Sequence, residues 1–176
     1  YIGSKENPHQ LLKEVIDNSI DELINNKGSY VSVIFDDANK QYCVTDNGSG
    51  IKCYQKQLPN GEIKETVEIL FTIPHSGSKF NNKEYEKLFG MNGIGLVAVN
   101  YLSDYVIVKT RGLEDKNTIC EFTFVDGDLV KQEYTSLPYE TNQWMTHICF
   151  KPSNEFKILD IDKRYFAEWF LLLQSK

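Results

Sequence analysis

Apolar residues first recur at helical spacing over residues 8–26, where Leu11, Leu12, Val15, Ile16, Ile20, Leu23 and Ile24 form one wide stripe. Asn7 and Pro8 supply an N-cap and a favoured first helical residue, Gln10 a capping-box partner, and Gly28 an end. The period then drops to two. Residues 30–36 and 41–45 read as strands joined through Asp37-Ala38-Asn39, followed by a glycine-bearing loop at Asp46–Ile51. Residues 65–72 read as a short helix. Residues 75–95, with Gly77, Gly90, Gly93 and Gly95, read as a long mobile loop feeding a helix at 94–103. Strands are expected at about 105–110, 118–125, 129–134 and 144–151, with Asp126-Gly127 turning one hairpin, and a closing helix at 160–174. This order predicts an α+β protein. It is a two-layer sandwich with a mixed, mostly antiparallel sheet and helices on one face. No repeat, low-complexity tract or linker divides residues 1–176, so a single domain is expected.

Composition narrows the function. With 41% hydrophobic and 25% charged residues the chain reads as an ordinary soluble domain. No apolar run is long enough to cross a membrane, and Tyr1 opens onto a polar stretch without a signal-peptide pattern. The net charge of -6 lacks the basic footprint of a nucleic-acid-binding domain, so direct DNA contact is not expected to be its main task. Cys43, Cys53, Cys120 and Cys149 are scattered without a CxxC pair. This argues against zinc and for reduced cysteines in an intracellular setting.

Three segments carry candidate chemistry. On the first helix Glu14 and Asn18 are spaced i, i+4 and share a face. A carboxylate there can deprotonate or orient a water, and a carboxamide oxygen can ligate Mg²⁺. The plainer reading is the solvated side of an amphipathic helix. In Asp46-Asn47-Gly48-Ser49-Gly50-Ile51 a strand ends on a carboxylate. A buried Asp there can accept a hydrogen bond from an exocyclic amine such as that of adenine, with Gly50 letting the base approach the backbone. The plainer reading is a turn. In Gly90-Met91-Asn92-Gly93-Ile94-Gly95-Leu96 glycines precede a helix and expose N–H groups suited to a phosphate chain. This is neither a Walker A loop nor a Rossmann fingerprint.

Together, in this order, the three segments resemble the N box and the two glycine boxes of the GHKL ATPases (gyrase, heat-shock chaperone, histidine kinase, MutL), which share the Bergerat fold. The likeness extends along most of the chain. Tyr1-Ile2-Gly3 looks like the "MYIG" of gyrase B and related type II topoisomerase subunits, and Pro74–Phe80 looks like their "HAGGKF". "GMNGIG" looks like their "GLHGVG", and Asn142–Ser153 resembles their "GTxVxFxPS" strand. The "MNG" wording and the Pro59–Glu62 insert are similar to tailed-phage topoisomerase large subunits.

The resemblance implies a role for each matching residue. Glu14 is the general base and Asn18 the Mg²⁺ ligand; Asp46, helped by Thr146, holds the adenine amine beside Gly50. Val15, Ile51, Phe71 and Ile148 line the adenine pocket, although each of these would also be apolar in any core. Tyr85 reaches the purine or ribose and Lys79 the phosphates, while Asn92, Gly93, Ile94, Gly95, Leu96 and Val97 wrap the triphosphate. Lys79 and Tyr85 also fit as plain loop residues, and His9, His75 and His147 are weaker candidates than Glu14. Three departures stand out. Ser49 and Lys52 replace the arginine and proline of "DGRGIP", Glu121 falls near an arginine that lines the coumarin-drug pocket, and Met145 replaces the glycine before Thr146.

The family's cofactors are ATP and Mg²⁺. Its lid closes over the phosphates, drives dimerisation of the ATPase gate and leads to capture of DNA by the whole enzyme, which includes a second topoisomerase subunit of the gyrase A type. The resemblance implies an arm before "YIG" and a following transducer domain that are expected to fall outside these residues, so the isolated domain is expected to be a monomer with weak or absent ATPase activity. Its expected place is the cytoplasm, that of the host if phage-encoded. A MutL-type or other GHKL ATPase and a non-catalytic nucleotide-binding module are the alternatives.

Overall fold

The computed structural model describes residues 9–74, 94–140 and 143–153. Among the described residues, three helices cover one face of a six-stranded sheet. α1 spans His9–Ile24, α2 Thr66–Thr72 and α3 Gly95–Tyr101. The main sheet contains β1 (Val31–Asp36), β2 (Gln41–Asp46), β5 (Ser103–Thr110), β6 (Thr118–Val125), β7 (Asp128–Ser136) and β8 (Thr146–Pro152). Their order is β1-β2-β8-β5-β6-β7. Every pairing among the described residues is antiparallel, so the mixed element of the expectation has no counterpart there. The α+β sandwich with helices on one face is the observed architecture.

α1 buries Leu11, Leu12, Val15, Ile16, Ser19 and Ile20, a stripe at i, i+4 that lies against the sheet. The stripe stops there, because Leu23 is half-buried and Ile24 is exposed. Gly28 does not end the helix. Asn26 takes the left-handed conformation at φ 58°, and its N–H bonds the Leu23 carbonyl while that of Lys27 bonds Glu22. This is a Schellman cap with asparagine in the usual glycine position. Gly28 serves another purpose, since a Cβ there would lie 3.1 Å from the Gly48 backbone.

Strand alternation builds the other wall of the core. β2 turns Tyr42, Val44 and Asp46 inward, β5 adds Val106, Val108 and Thr110, and β6 adds Phe122 and Phe124. They meet Val15, Ile16, Phe71 and Val99 from the helices in one cluster. Burying each large apolar side chain contributes about 1.5–3 kcal/mol. Asn100 of α3 ties the layers together: its amide donates to the Phe71 carbonyl at 3.0 Å and the Gly127 carbonyl at 2.8 Å. Asp126 and Gly127 form the expected hairpin turn, both with positive φ.

A second, two-stranded sheet, β3 (Gln55–Gln57) with β4 (Ile63–Glu65), has no counterpart in the expectation. The cysteines also depart from it. Cys43 and Cys149 are register partners on β2 and β8 and form a disulfide, whereas Cys53 and Cys120 are buried thiols in the core. The segments expected at 75–93 and 160–174, the "YIG" start and the Asn7–Pro8 cap lie outside the described residues.

Candidate nucleotide site

The site begins with strand register. Asp46 closes β2, Thr146 opens β8 and Thr110 closes β5. Asp46 pairs with Thr146, and Thr146 with Thr110, so the three stand side by side at one end of the sheet's centre. Alternation aims all three at the helix layer, and all three are buried.

Asp46 is 3% exposed, and burial pushes its carboxyl above the ordinary range against the opposing hydrogen bonds. Ser19 Oγ of α1 donates to Oδ2 at 2.7 Å, and the Gly48 N–H donates to Oδ1 at 2.9 Å. Thr146, its register partner, also favours the ionised form against the burial. An ionised carboxylate offers about four acceptor positions, more than these two donors fill.

The "DNGSG" segment is more than a turn. Asn47 Oδ1 accepts the N–H groups of Ser29 and Tyr30 at 2.8 and 3.0 Å, which fixes the loop to the start of β1. The Ser49 N–H donates to Glu22 Oε2 of α1 at 2.9 Å. Burial raises the Glu22 carboxyl, but the Ser49 and Lys27 contacts outweigh it and leave it below the ordinary range. Gly50 takes φ 76°, and a Cβ there would come within 3.1 Å of Thr110 Oγ1. That hydroxyl accepts the Ile51 N–H at 2.8 Å and donates back to the Ile51 carbonyl at 3.2 Å.

The floor beyond Thr110 is equally closed. A Cβ on Gly112 would fall 1.6 Å from the Ile51 carbonyl oxygen, a position only glycine can occupy. Arg111 is buried, donates to the Lys116 and Leu137 carbonyls at 2.7 and 3.1 Å, and lies 5.2 Å over the Trp144 ring. Met145 is buried and joins both sides, its N–H bonding the Asp46 carbonyl and its carbonyl the Arg111 N–H.

Glu14 and Asn18 share the half-buried flank of α1, as their spacing predicts. Gln10 Nε2 donates to Glu14 Oε1 at 2.8 Å, and a Cβ on Gly95 would lie 2.3 Å from Glu14 Oε2. Glu14 thus touches the start of α3, where Ile94, Gly95 and Leu96 are half-buried and Val97 is buried. Asn18 Nδ2 donates to the Glu14 carbonyl at 2.6 Å, which leaves Oδ1 as the atom that could hold a cation.

Val15 and Ile148 are buried, and Ile51 packs on the same cluster. Phe71 is fully buried but stacks on Phe124 at 5.3 Å. Phe124 pairs with Val106, four strand positions or roughly 13 Å from Thr110, so the Phe71 ring belongs to the core rather than to the neighbourhood of Asp46. Glu121 faces the outer side of the sheet, within 2.9 Å of Lys109. Lys79, Tyr85, Asn92 and Gly93 lie outside the described residues. Sequence reasoning missed Ser19, Glu22, Thr110, Arg111 and Gly112. The one local signal was a glycine directly after a strand.

The model of the histidine kinase-, DNA gyrase B- and HSP90-like ATPase family matches residues 3–126. The chain is 32% identical over 158 residues to the B subunit of DNA topoisomerase 4 from Bartonella bacilliformis, covering 88% of this chain and 22% of that protein. It is 33% identical over 164 residues to the corresponding protein from Staphylococcus aureus, with the same coverage of 88% and 22%. The chain therefore spans 22% of the length of these curated relatives. Among solved structures, the ATPase domain of Thermus thermophilus gyrase B in complex with an aminocoumarin is similar at TM-score 0.69 and 25% identity, over 91% of this chain and 38% of that one. The topoisomerase IV ATP-binding domain of Francisella tularensis shares the fold at TM-score 0.73 and 23% identity, over 96% of this chain and 76% of that one. The helix layer and the antiparallel sheet thus belong to a known frame, and the chain belongs to the histidine kinase-, DNA gyrase B- and HSP90-like ATPase family.

Proposed function

We propose that this chain is the ATP-binding and ATP-hydrolysing domain of a type II DNA topoisomerase subunit of the gyrase B kind. The observation that carries the reading is the buried Asp46 carboxylate. Two protein donors hold it, fewer than its acceptor positions. A remaining position suits the exocyclic amine of adenine, beside Gly50, whose lack of a side chain lets the loop lie close against Thr110. Thr146 flanks the amine, while Val15, Ile51 and Ile148 supply apolar surface.

Glu14 stands at the other end as the general base for the water that attacks the γ-phosphate, and Asn18 Oδ1 is the protein ligand for Mg²⁺. Bound there, Mg²⁺ neutralises phosphate charge. The N–H groups of Ile94–Val97 face the phosphates, joined by Asn92 and Gly93, with Lys79 near the phosphates and Tyr85 near the purine or ribose. Gly95 leaves room for Glu14 beside them. In the whole enzyme, ATP binding closes the gate as a homodimer, with DNA and a gyrase-A-type subunit as partners; the isolated domain hydrolyses ATP weakly. Cytoplasmic placement accords with the absence, among the described residues, of any helix long and apolar enough to cross a membrane.

Calorimetric titration with a non-hydrolysable ATP analogue and Mg²⁺ tests the reading. The unsubstituted chain binds one equivalent, and Asp46→Ala loses about 10- to 100-fold in affinity, the worth of a hydrogen bond to a charged group. No binding by the unsubstituted chain would reject the function; unchanged affinity in Asp46→Ala would reject the adenine assignment.

A further inference from the structure

The outer face of the sheet carries a second chemical cluster, opposite the helices. Cys43 of β2 and Cys149 of β8 are register partners whose sulfurs are joined. His147 precedes Cys149 by two residues and shares its face by strand alternation. His147 Nε2 lies 3.1 Å from Cys149 Sγ, and its Nδ1 lies 2.7 Å from Thr45 Oγ1. Thr45 is the register partner of His147, so this contact joins the two strands, whereas the His147–Cys149 contact lies within β8. One ligating atom from each of Cys43, His147 and Cys149 lies within 4.8 Å of the other two. Cys43 and His147 are half-buried, so solvent reaches the cluster from one side.

This is the arrangement of a metal-binding imidazole. Ligating histidines hold their second ring nitrogen in a hydrogen bond, which fixes the tautomer and aims the other nitrogen at the metal. Thr45 does the first here and the sulfurs mark the second. Two thiolates and one imidazole suit a borderline cation of the Zn²⁺ class, with water free to take a fourth position. Zn–S bonds of about 2.3 Å set two thiolates about 3.8 Å apart in a tetrahedron, so the cation requires the opened disulfide. Adjacent strands place partner Cβ atoms about 4.5–5.5 Å apart, which spans that gap without moving the backbone.

We propose that the reduced chain binds one Zn²⁺-class cation through Cys43, Cys149 and His147, and that the disulfide is the oxidised, cation-excluding form of the same site. Opening it consumes a small-molecule dithiol. The S–S bond takes up two electrons and two protons to give two thiols, and the dithiol becomes its own disulfide. Cation binding then releases the two thiol protons. The site lies three residues from Asp46 along β2 and three from Thr146 along β8, on the opposite face of the same strand pair.

The test uses the chain reduced with a dithiol, freed of reductant and titrated with Co²⁺ as a coloured stand-in for Zn²⁺. Thiolate-to-cobalt absorption should rise to one equivalent, bleach on adding Zn²⁺, and be absent from the disulfide form. Cys43→Ser should abolish it, and Thr45→Val should weaken binding about 10- to 100-fold. No such absorption in the reduced chain overturns the proposal. So does equal absorption in the disulfide form, where the free thiols Cys53 and Cys120 would explain it, or in Cys43→Ser, where Cys53, Cys120 or Cys149 without its partner would. The comparison of reduced and oxidised forms needs no substitution, so a variant that fails to fold does not decide the outcome.

Discussion

The two ends of the nucleotide site are built from different materials. At the adenine end, Asp46, Thr146 and Thr110 come from three adjacent strands whose register fixes them side by side. Each is buried, and Ser19, Gly48 and Ile51 tie the carboxylate and the Thr110 hydroxyl in place. At the phosphate end, Glu14 and Asn18 are half-buried on one helix, and Glu14 is held by Gln10, itself on that helix. In the proposed arrangement the sheet end is preorganised to recognise a base, and the helix end keeps a reactive carboxylate accessible. Substitutions at the helix end should change turnover, and those at the sheet end should change affinity and stability.

The largest effect should come from Glu14→Gln. Loss of a general base costs typically 10²–10⁴-fold in rate. The variant keeps its shape and its contact with Gln10, so affinity for a non-hydrolysable analogue with Mg²⁺ should stay within about threefold, under ~1 kcal/mol. Single-turnover hydrolysis alongside equilibrium binding separates the two. If affinity fell and the rate held, the division between the ends would collapse.

Gly112→Ala probes the opposite end. The new Cβ would meet the Ile51 carbonyl at 1.6 Å, and both partners are main chain, so the backbone must move. Overpacking of this kind costs about 1–3 kcal/mol. Thermal unfolding should register the loss, and nucleotide affinity should fall with it because Ile51 and Gly50 share the displaced loop. An unchanged Tm would mean that the sheet end is softer than its contacts imply.

The contrast also decides what was legible in the sequence. The α1 stripe and the alternation in β2 are local patterns, and Glu14, Asn18 and Asp46 stand on the helix flank and at the strand end where their spacing puts them. Ser19 was readable only as a small residue within the apolar stripe. Its partner is 27 positions away, and the contact exists because β2 lies under α1. Thr110 bonds Ile51 across 59 positions, and Cys43 meets Cys149 across 106, so neither spacing carries a signal. The β3–β4 hairpin escaped because three-residue strands that expose Gln55, Gln57 and Ile63 show no alternation to read. Phe71 was apolar and near the right segment, but only the register of β6 reveals that its ring faces Phe124. Gly28 failed as a helix end because Asn26 can also adopt positive φ.

A smaller effect follows from the burial of Asp46, which holds its carboxyl above the ordinary range. Adenine recognition needs the ionised form. Affinity should therefore fall on acidification, beginning at a higher pH than a solvated aspartate would set, by about tenfold per unit below the folded pKa. Folding responds with the opposite sign. A carboxyl whose pKa is raised by folding disfavours the fold once ionised, so its contribution to stability without ligand improves as pH falls through the folded value. Asp46→Asn should flatten both curves. Parallel loss of affinity and stability in the unsubstituted chain would assign the acid sensitivity to another group.

The smallest effect should come from Ser19→Ala, and it tests preorganisation most directly. The Ser19 hydroxyl touches no nucleotide atom in the proposed arrangement; it donates to Asp46 Oδ2 at 2.7 Å from the buried side of α1. Alanine fits the same space and suits a helix interior, so the fold should hold. The carboxylate loses one of its two donors, a hydrogen bond worth about 1.5 kcal/mol to a charged group, and its desolvation is less well compensated. Its pKa should climb further, because the Ser19 contact is among those that lower it. At neutral pH the expected loss of affinity is about fivefold, well short of that for Asp46→Ala, as befits a residue acting through another. The distinguishing readout is the pH profile: the acid limb of binding should move to higher pH in Ser19→Ala and be restored by Ser19→Thr, which returns the hydroxyl. An affinity loss independent of pH would mean that Ser19 only fills space, and that Asp46 is held by its own strand and loop without help from the helix.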